Sequence, residues 1–318
     1  MAENSSIEWT NHTFNPWVGC AKVSPACDHC YAEGWAKRAG TPELWQGQRR
    51  RTSAANWRQP LRWNRAAQAA GKRARVFCAS LADVFDNHPA ITDDWRQDLG
   101  ALISATPNLD WLLLSKRIGN AGRYLPLMFP DGVPETVWLG ATVCNQTEAV
   151  RDIPKLLAAP AGVRFLSAEP LLSALDLREW LAGIDLLIVG GESGGQARPM
   201  HPDWVRGLRD QCAASGTAFF FKQWGEWLPV SQIRAQDAET LYRSNRLAKP
   251  GQDQAVLDEC YGRTCRVDTL PLAYGGSSDW QDAFTIIDGH AGMQMYRVGK
   301  KTAGRLLDGV EHNGEAVA

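Results

Sequence analysis

From residue 75 onward the chain alternates short apolar runs with longer amphipathic ones. The apolar runs are RVFCAS at 75–80, DWLLLS at 110–115, VWLGATV at 137–143, VRFLSA at 163–168, IDLLIVG at 184–190 and AFFFK at 218–222. Such runs, without polar alternation, are the pattern of parallel strands buried on both faces. Between them the spacing predicts helices over 93–105, 147–158 and 202–215, and shorter helical pieces near 120–125 and 177–181. Strands alternating with helices imply right-handed βαβ crossovers. With one more strand at FNPWVGC, before Cys20, the pattern predicts an α/β fold: a partial or closed (β/α) TIM-type barrel with parallel strands. A doubly wound sheet is the competing arrangement. Residues 1–227 form the barrel in this reading. Residues 228–318 form an irregular C-terminal extension packed on it, with weak strands near 284–287 and 293–298.

In a barrel the chemistry gathers where strands end at their carboxyl edge. Those ends are polar here: Ser80 to Asp83, Ser115-Lys116-Arg117, Thr142 to Asn145, Ser167 to Glu169, Gly190-Gly191-Glu192, and Lys222-Gln223-Trp224. Polar ends repeated on six strands point to one lined mouth. Capping of the following helices is the plainer use of Asp, Ser and Asn at such places. VGGESGG at 189–195 is glycine-rich, but it is neither a Walker A loop nor G-x-G-x-x-G.

The chain has 318 residues, 44% of them apolar, which excludes a disordered chain. It has no apolar run of membrane-spanning length and no signal-like N-terminus, so a soluble, cytoplasmic protein without membrane contact is expected. In a reducing compartment eight cysteines are not a disulfide framework, and those at ligand-like spacing invite a metal. Cys20, Cys27 and Cys30 are spaced C-x6-C-x2-C. Zinc would need a fourth ligand, His29 or His12. A [4Fe–4S] cluster can take three cysteines and leave one iron open. Spacing leaves both readings standing. Cys78 and Cys212 read as core, Cys144 as a strand-end thiol, and Cys260 with Cys265 as a pair too small for a metal by itself.

The net charge of −1 hides an asymmetry. Residues 37–75 hold eleven Lys or Arg against one acid, Glu43, so this basic segment carries +10 and the remainder −11. Interleaved Trp45, Trp57 and Trp63 make nucleic acid a candidate partner. A solvated helix with its tryptophans turned to the core is the plainer reading.

The cysteine loop follows the first strand and runs into a helix, the place it occupies in radical S-adenosylmethionine enzymes. It differs from their C-x3-C-x2-C spacing, and His29 stands where they carry an aromatic. More widely, the chain resembles a family of phage and bacterial proteins of unassigned function that carry a three-cysteine motif and are radical-SAM-like. The matching segments are WTNHTFNPWVGC, CDHCYAE, SLADVFD, LLLSKR, LSAEPLL, VGGESG with ARPMHPDWVRGLRDQC, and FFFKQWGEW. The resemblance implies a metal-binding iron–sulfur enzyme in which Cys20, Cys27 and Cys30 hold the cluster. Lys116 or Arg117 would meet the carboxylate of S-adenosylmethionine, and Ser167, Glu169 or Glu192 its amino group or ribose. Gly190 and Gly191 would admit the adenosine. Asp83, Lys222, Gln223 and Trp224 would face a substrate, from which a 5′-deoxyadenosyl radical abstracts hydrogen. A reductant protein belongs to the same implication, and a further partner protein is a candidate; the resemblance gives no substrate, and it is the basic Trp/Arg stretch that suggests a nucleic acid or nucleotide. The alternative is a zinc-stabilised nucleic-acid-binding protein without catalysis.

Overall fold

The computed structural model describes residue 5 and residues 7–316. Its centre is a seven-stranded sheet, every neighbouring pair parallel: β1 (His12–Thr13), β2 (Ala74–Cys78), β3 (Leu109–Ser115), β4 (Val137–Thr142), β5 (Val163–Ala168), β6 (Leu186–Gly190) and β7 (Ala218–Gln223). The strands lie side by side in chain order. A doubly wound sheet reverses its strand order at a switch point. This one does not, and it is an open partial (β/α) barrel.

Helices cover the outer face. α1 (Tyr31–Arg38) follows the cysteine loop, and α2 (Gln59–Ala70) leads into β2. α3 (Asp93–Ser104), α4 (Ala121–Met128), α5 (Gln146–Ala158) and α6 (Pro202–Ser215) are the later crossovers. Local chemistry sets their ends. Asn145 accepts from the Glu148 amide to start α5, and Gly216 closes α6 at φ +76°. The connection from β5 to β6 differs from expectation, since only a 3-10 turn at Leu181–Gly183 forms there instead of a helix over 177–181. FNPWVGC is not the first barrel strand either. β1 precedes it, and Trp17–Val18 pairs antiparallel with Arg50–Arg51. The buried Asn15 turns the chain between the two, its side chain accepting from the Leu81 amide and donating to Ser80 Oγ.

Side chains alternate across the sheet. Val76, Cys78, Trp111, Leu113, Leu139, Leu166, Leu187 and Phe221 belong to the core under the helices. Phe77, Leu112, Trp138, Phe165, Ile188 and Phe220 fill the concave side, where Trp9 closes over them, its ring 4.8 Å from that of Phe77. Packing is tight enough that a Cβ on Gly140 would come within 2.3 Å of the Phe165 ring.

The extension has a small antiparallel sheet of β8 (Leu228–Pro229), β9 (Thr269–Leu272) and β10 (Met293–Tyr296), ordered β8-β10-β9. β10 falls in the expected segment. Residues 284–287 are not a strand; they follow a helical turn at Trp280–Ala283, and Phe284 and Ile286 are exposed. Leu272, Met295 and Leu307 join the core beneath the barrel helices. The chain then runs back along β7, with Phe221 N–H donating to His312 O at 3.0 Å and Gly314 N–H to Phe219 O at 2.9 Å. This tail covers the open edge of the sheet. No helix among the described residues is long and apolar enough to cross a membrane.

Because Gly140 leaves room for the Phe165 ring, Gly140→Ala should destabilise the fold by about 2 kcal/mol through overpacking. Urea unfolding followed by circular dichroism measures this; an unchanged midpoint would contradict the packing argument.

Candidate functional site

The concave face changes character along each strand. Where the inward row of β4 reads Trp138, Gly140, Thr142, and that of β7 reads Phe220, Lys222, the apolar floor gives way to a polar rim. Leu114 followed by Lys116, and Phe165 by Ser167 and Glu169, repeat the change. Leu114, Lys116, Thr142, Ser167, Glu169 and Lys222 line a cavity of about 450 Å³ at the carboxyl ends of the strands. Cys20, Cys27, Cys30 and His29 form its other wall.

The cysteine loop is shaped by its own sequence. Ser24 Oγ accepts from the Ala26 amide and starts a 3-10 turn at Pro25–Cys27; α1 begins directly after Cys30. Gly19 sits at φ +111° with the Leu44 and Gln48 carbonyls against its Cα, a place no side chain can share. Two arginines tie the loop to the barrel. Arg117 Nη2 donates to Ala21 O at 2.8 Å, and Arg198 Nη2 to Pro25 O at 2.9 Å.

Arg117 is held in turn by Asp83, 3.1 Å away, and stands 3.7 Å from Asp86. It also reaches Cys20 Sγ at 3.5 Å. Burial disfavours its charge, yet Asp83, Cys20 and Asp86 outweigh burial and raise its pKa. Burial pushes the Cys20 thiol up, Asp83 adds to this, and Arg117 opposes it. Asp83 accepts from Ser115 Oγ at 2.6 Å and from the amides of Phe85 and Lys116, both at 3.0 Å. Its carboxylate is thus fully occupied. Asp83 joins the ends of β2 and β3 rather than presenting a free acid to a substrate. Arg117 likewise has its fork committed, so of these two cations lining the cavity Lys116, 3.5 Å from Thr142 Oγ1, is the one without a carboxylate partner among the described residues.

On the opposite side Lys222 pairs with Glu169 at 2.8 Å, and Ser167 Oγ donates to Glu169 at 3.2 Å. Gly190 is the space for that carboxylate, because a Cβ there would lie 2.9 Å from Glu169 Oε1. Glu192 accepts from Arg198 Nη2 at 2.7 Å and Nε at 2.9 Å, and lies 3.0 Å from His29 Nδ1. Burial raises the Glu192 pKa, but the bonds from Arg198 and His29 outweigh it and hold the carboxyl below the ordinary range. Gln223 donates to Gly191 O at 3.1 Å and Ser193 Oγ at 2.9 Å, while its buried Oε1 has no partner. A register shift between Val189 and Gly190 brings Gln223 opposite Gly190.

Lys116, Arg117, Ser167, Glu169, Gly191, Glu192, Asp83, Lys222, Gln223 and the three cysteines therefore share one cavity. Trp224 does not line it. Its ring packs edge-on against Phe221 at 5.0 Å and its Nε1 donates to Leu306 O at 2.8 Å, so it serves the core. Gly191 does not serve close approach of a ligand, because the Trp224 carbonyl lies where its Cβ would be, at 1.9 Å. Cys78, Cys144 and Cys212 are buried. Burial pushes Cys212 up to about 12; burial and then Glu148 push Cys144 up to about 12. Sequence reasoning missed Arg198, although it stands in the ARPM segment, and Lys300, which reaches the cavity wall from the extension with no local signal.

All eight cysteines are free. As placed, no group of three or more His, Cys, Asp or Glu among the described residues is arranged to hold a metal ion. The three loop cysteines nonetheless fit a thiolate-bound metal by donor chemistry and by facing one cavity. His12 is on β1, stacked on Trp63 at 4.4 Å, and does not line the cavity. His29 does, with Glu192 on its Nδ1.

Fold and cavity together define the class: an α/β partial-barrel protein with one thiol-lined, ion-paired mouth at the carboxyl ends of its strands. The chain belongs to the family described as "Protein of unknown function (DUF5131)", whose model matches residues 4–315 and so includes the extension. A family of unassigned function is what the motifs implied; the match itself carries no likeness to radical-SAM enzymes. No curated protein and no solved structure matches the chain.

Asp83→Ala leaves Arg117 buried without its partner and should cost about 3 kcal/mol or more. It should also free the Cys20 end of the loop, seen as faster modification by a thiol reagent; unchanged stability and reactivity would remove Asp83 from its central role. Because its folded pKa is lowered, Glu192 contributes stability that is complete above the ordinary carboxylate range and is lost as pH falls through the folded value. The stability gap between wild type and Glu192→Gln should shrink on going from about pH 6 to about pH 3. Denaturant titrations across that range measure it, and a constant gap would contradict the assignment.

Proposed function

We propose that this protein is a radical S-adenosylmethionine-type iron–sulfur enzyme working in the cavity at the strand ends. The observation that supports this most directly is that Cys20, Cys27 and Cys30 line the same open cavity as the polar strand ends. A purely structural thiolate site is closed and needs no such space. In this reading the three cysteines hold a [4Fe–4S] cluster. Such a cluster, reduced by one electron from an external reductant protein, would supply reductive cleavage of the sulfonium of S-adenosylmethionine and so the radical chemistry that removes a hydrogen atom from a substrate.

The protein's own groups bind, orient and exclude water. Arg117 and Asp83 fix the first cysteine through the Ala21 carbonyl and Cys20 Sγ. Lys116 offers the cation for the cofactor carboxylate, and Glu169, oriented by Lys222 and Ser167, the acceptor for its ammonium. Gln223 Oε1, buried and without a partner, offers an acceptor to a donor on the substrate. Trp9, Phe77 and Leu114 form the apolar floor that keeps water out.

One observation favours a second reading. A carboxylate on one nitrogen of an imidazole is the usual support of a metal-bound histidine, and His29 has Glu192 there. Zinc on the three cysteines and His29 would then hold the loop without catalysis.

Anaerobic reconstitution with iron and sulfide separates the two. The enzyme reading expects a reduced cluster whose electron paramagnetic resonance signal changes on adding S-adenosylmethionine. Loading should be lost in Cys27→Ala, with the barrel still folded, and retained in His29→Ala. One tightly bound zinc that resists reconstitution and is lost in His29→Ala would sink the enzyme reading.

A further inference from the structure

The basic segment takes little part in the cavity, and the structure divides its cations into two sets. One set is spent inside the protein. Arg49 pairs with Asp86 at 2.6 Å, Arg51 with Asp98 at 2.6 Å, Arg73 with Asp110 at 3.2 Å and Arg75 with Glu315 at 3.4 Å. Trp63 lies in the core beneath α2, and Trp57 lies under the Arg51 guanidinium at 4.4 Å. These groups hold elements together and are not available to a partner.

The second set points outward from α2. Arg58 and Arg65 stand seven residues apart, two turns, which puts them on one face of the helix. Lys72 is exposed just past the Gly71 cap. Pro60, Trp63 and Ala67 occupy the opposite, buried face. Arg58, Arg65 and Lys72 are exposed and form no ion pair with an acid among the described residues. The reason is in the sequence: no Asp or Glu occurs between Glu43 and Asp83. Everything outside the basic segment sums to −11, so the chain's excess of positive charge lies in the segment that carries this face.

We propose that this face of α2 binds the phosphate backbone of duplex nucleic acid, without reading its sequence. Arg58 to Arg65 spans about 10 Å of helix, close to three base steps at about 3.4 Å each. Exposed Ala66, Ala69 and Ala70 leave the surface between and beside the cations low enough for a rod-shaped polyanion to approach. An anionic membrane suits it less. Leu61 is the one large apolar side chain exposed on α2, too little to enter a bilayer. Neither the cysteines nor the cavity is needed, so failure of cluster loading and failure of this binding are separate results.

Fluorescence anisotropy with a labelled duplex of about 20 base pairs tests it. Contact with three phosphates should weaken binding about 40-fold between about 50 and 200 mM salt. The triple variant Arg58→Glu, Arg65→Glu, Lys72→Glu should bind at least about tenfold more weakly at low salt, with a shallower salt dependence. Lys249→Glu, exposed on the extension, should bind as wild type does. A circular dichroism melt checks that the triple variant folds. If it does not, Arg65→Gln alone should lower the log–log salt slope by about one. Absence of wild-type binding at about 50 mM salt, full binding by the folded triple variant, or capture by anionic phospholipid vesicles but not by the duplex would each overturn the proposal.

Discussion

A carboxylate and a guanidinium buried against each other at the rim of an apolar barrel organise this molecule. Asp83 and Arg117 lie 3.1 Å apart, both nearly out of reach of solvent. Removing two charges from water is costly unless every lone pair and N–H finds a partner. The structure meets that demand by drawing three separate segments to one point. The end of β2 brings Asp83, the end of β3 brings Ser115 and the Lys116 amide, and the cysteine loop brings the Ala21 carbonyl and Cys20. Asp86 and Arg49 extend the network toward the strand pair at Trp17–Val18 and Arg50–Arg51. The loop is therefore fixed by electrostatic satisfaction of the barrel rim as much as by its own turns.

The same logic runs round the mouth. Glu169 is met by Lys222, and Glu192 by Arg198 and His29. Most of the charge in the cavity is neutralised within the protein, so a ligand meets mostly oriented dipoles and few loose charges. Lys116 and Lys300 are the lysines there with no acid in ion-pair range among the described residues. They come from distant parts of the chain, one just past the end of β3 and one from the extension. The extension is thus a wall of the cavity as well as a cover for the β7 edge.

Much of the fold was legible because burial on both faces leaves a plain mark. Four of the six apolar runs became strands with bounds shifted by at most one residue, IDLLIVG became β6 without its first two residues, and RVFCAS became β2 with its last two residues left as loop. Besides the expected strand near 284–287, which follows a helical turn, two readings failed for local reasons. Pro16 and the side-chain bonds of Asn15 take FNPWVGC out of the parallel sheet. The stretch near 177–181 has apolar residues at helical spacing but closes only a 3-10 turn. The candidate site was legible as a set and not as roles. Strand-end polarity identified the residues that line the cavity, yet it could not tell the committed Arg117 from the available Lys116, two neighbours of like charge. Trp224 carried the same signal and went to the core.

The sequence by itself determined the order of strands and helices, the cysteine spacing and the acid-free stretch that makes one segment basic. Those properties follow from periodicity and from counting, which need no partner. Only the tertiary structure decided which charges are spent and which are free. Arg49, Arg51, Arg73 and Arg75 find acids 35 or more residues away in the chain, while Arg58, Arg65 and Lys72 do not. Such pairings depend on which strand ends and tails the fold brings within a few ångströms, and no local pattern encodes that distance.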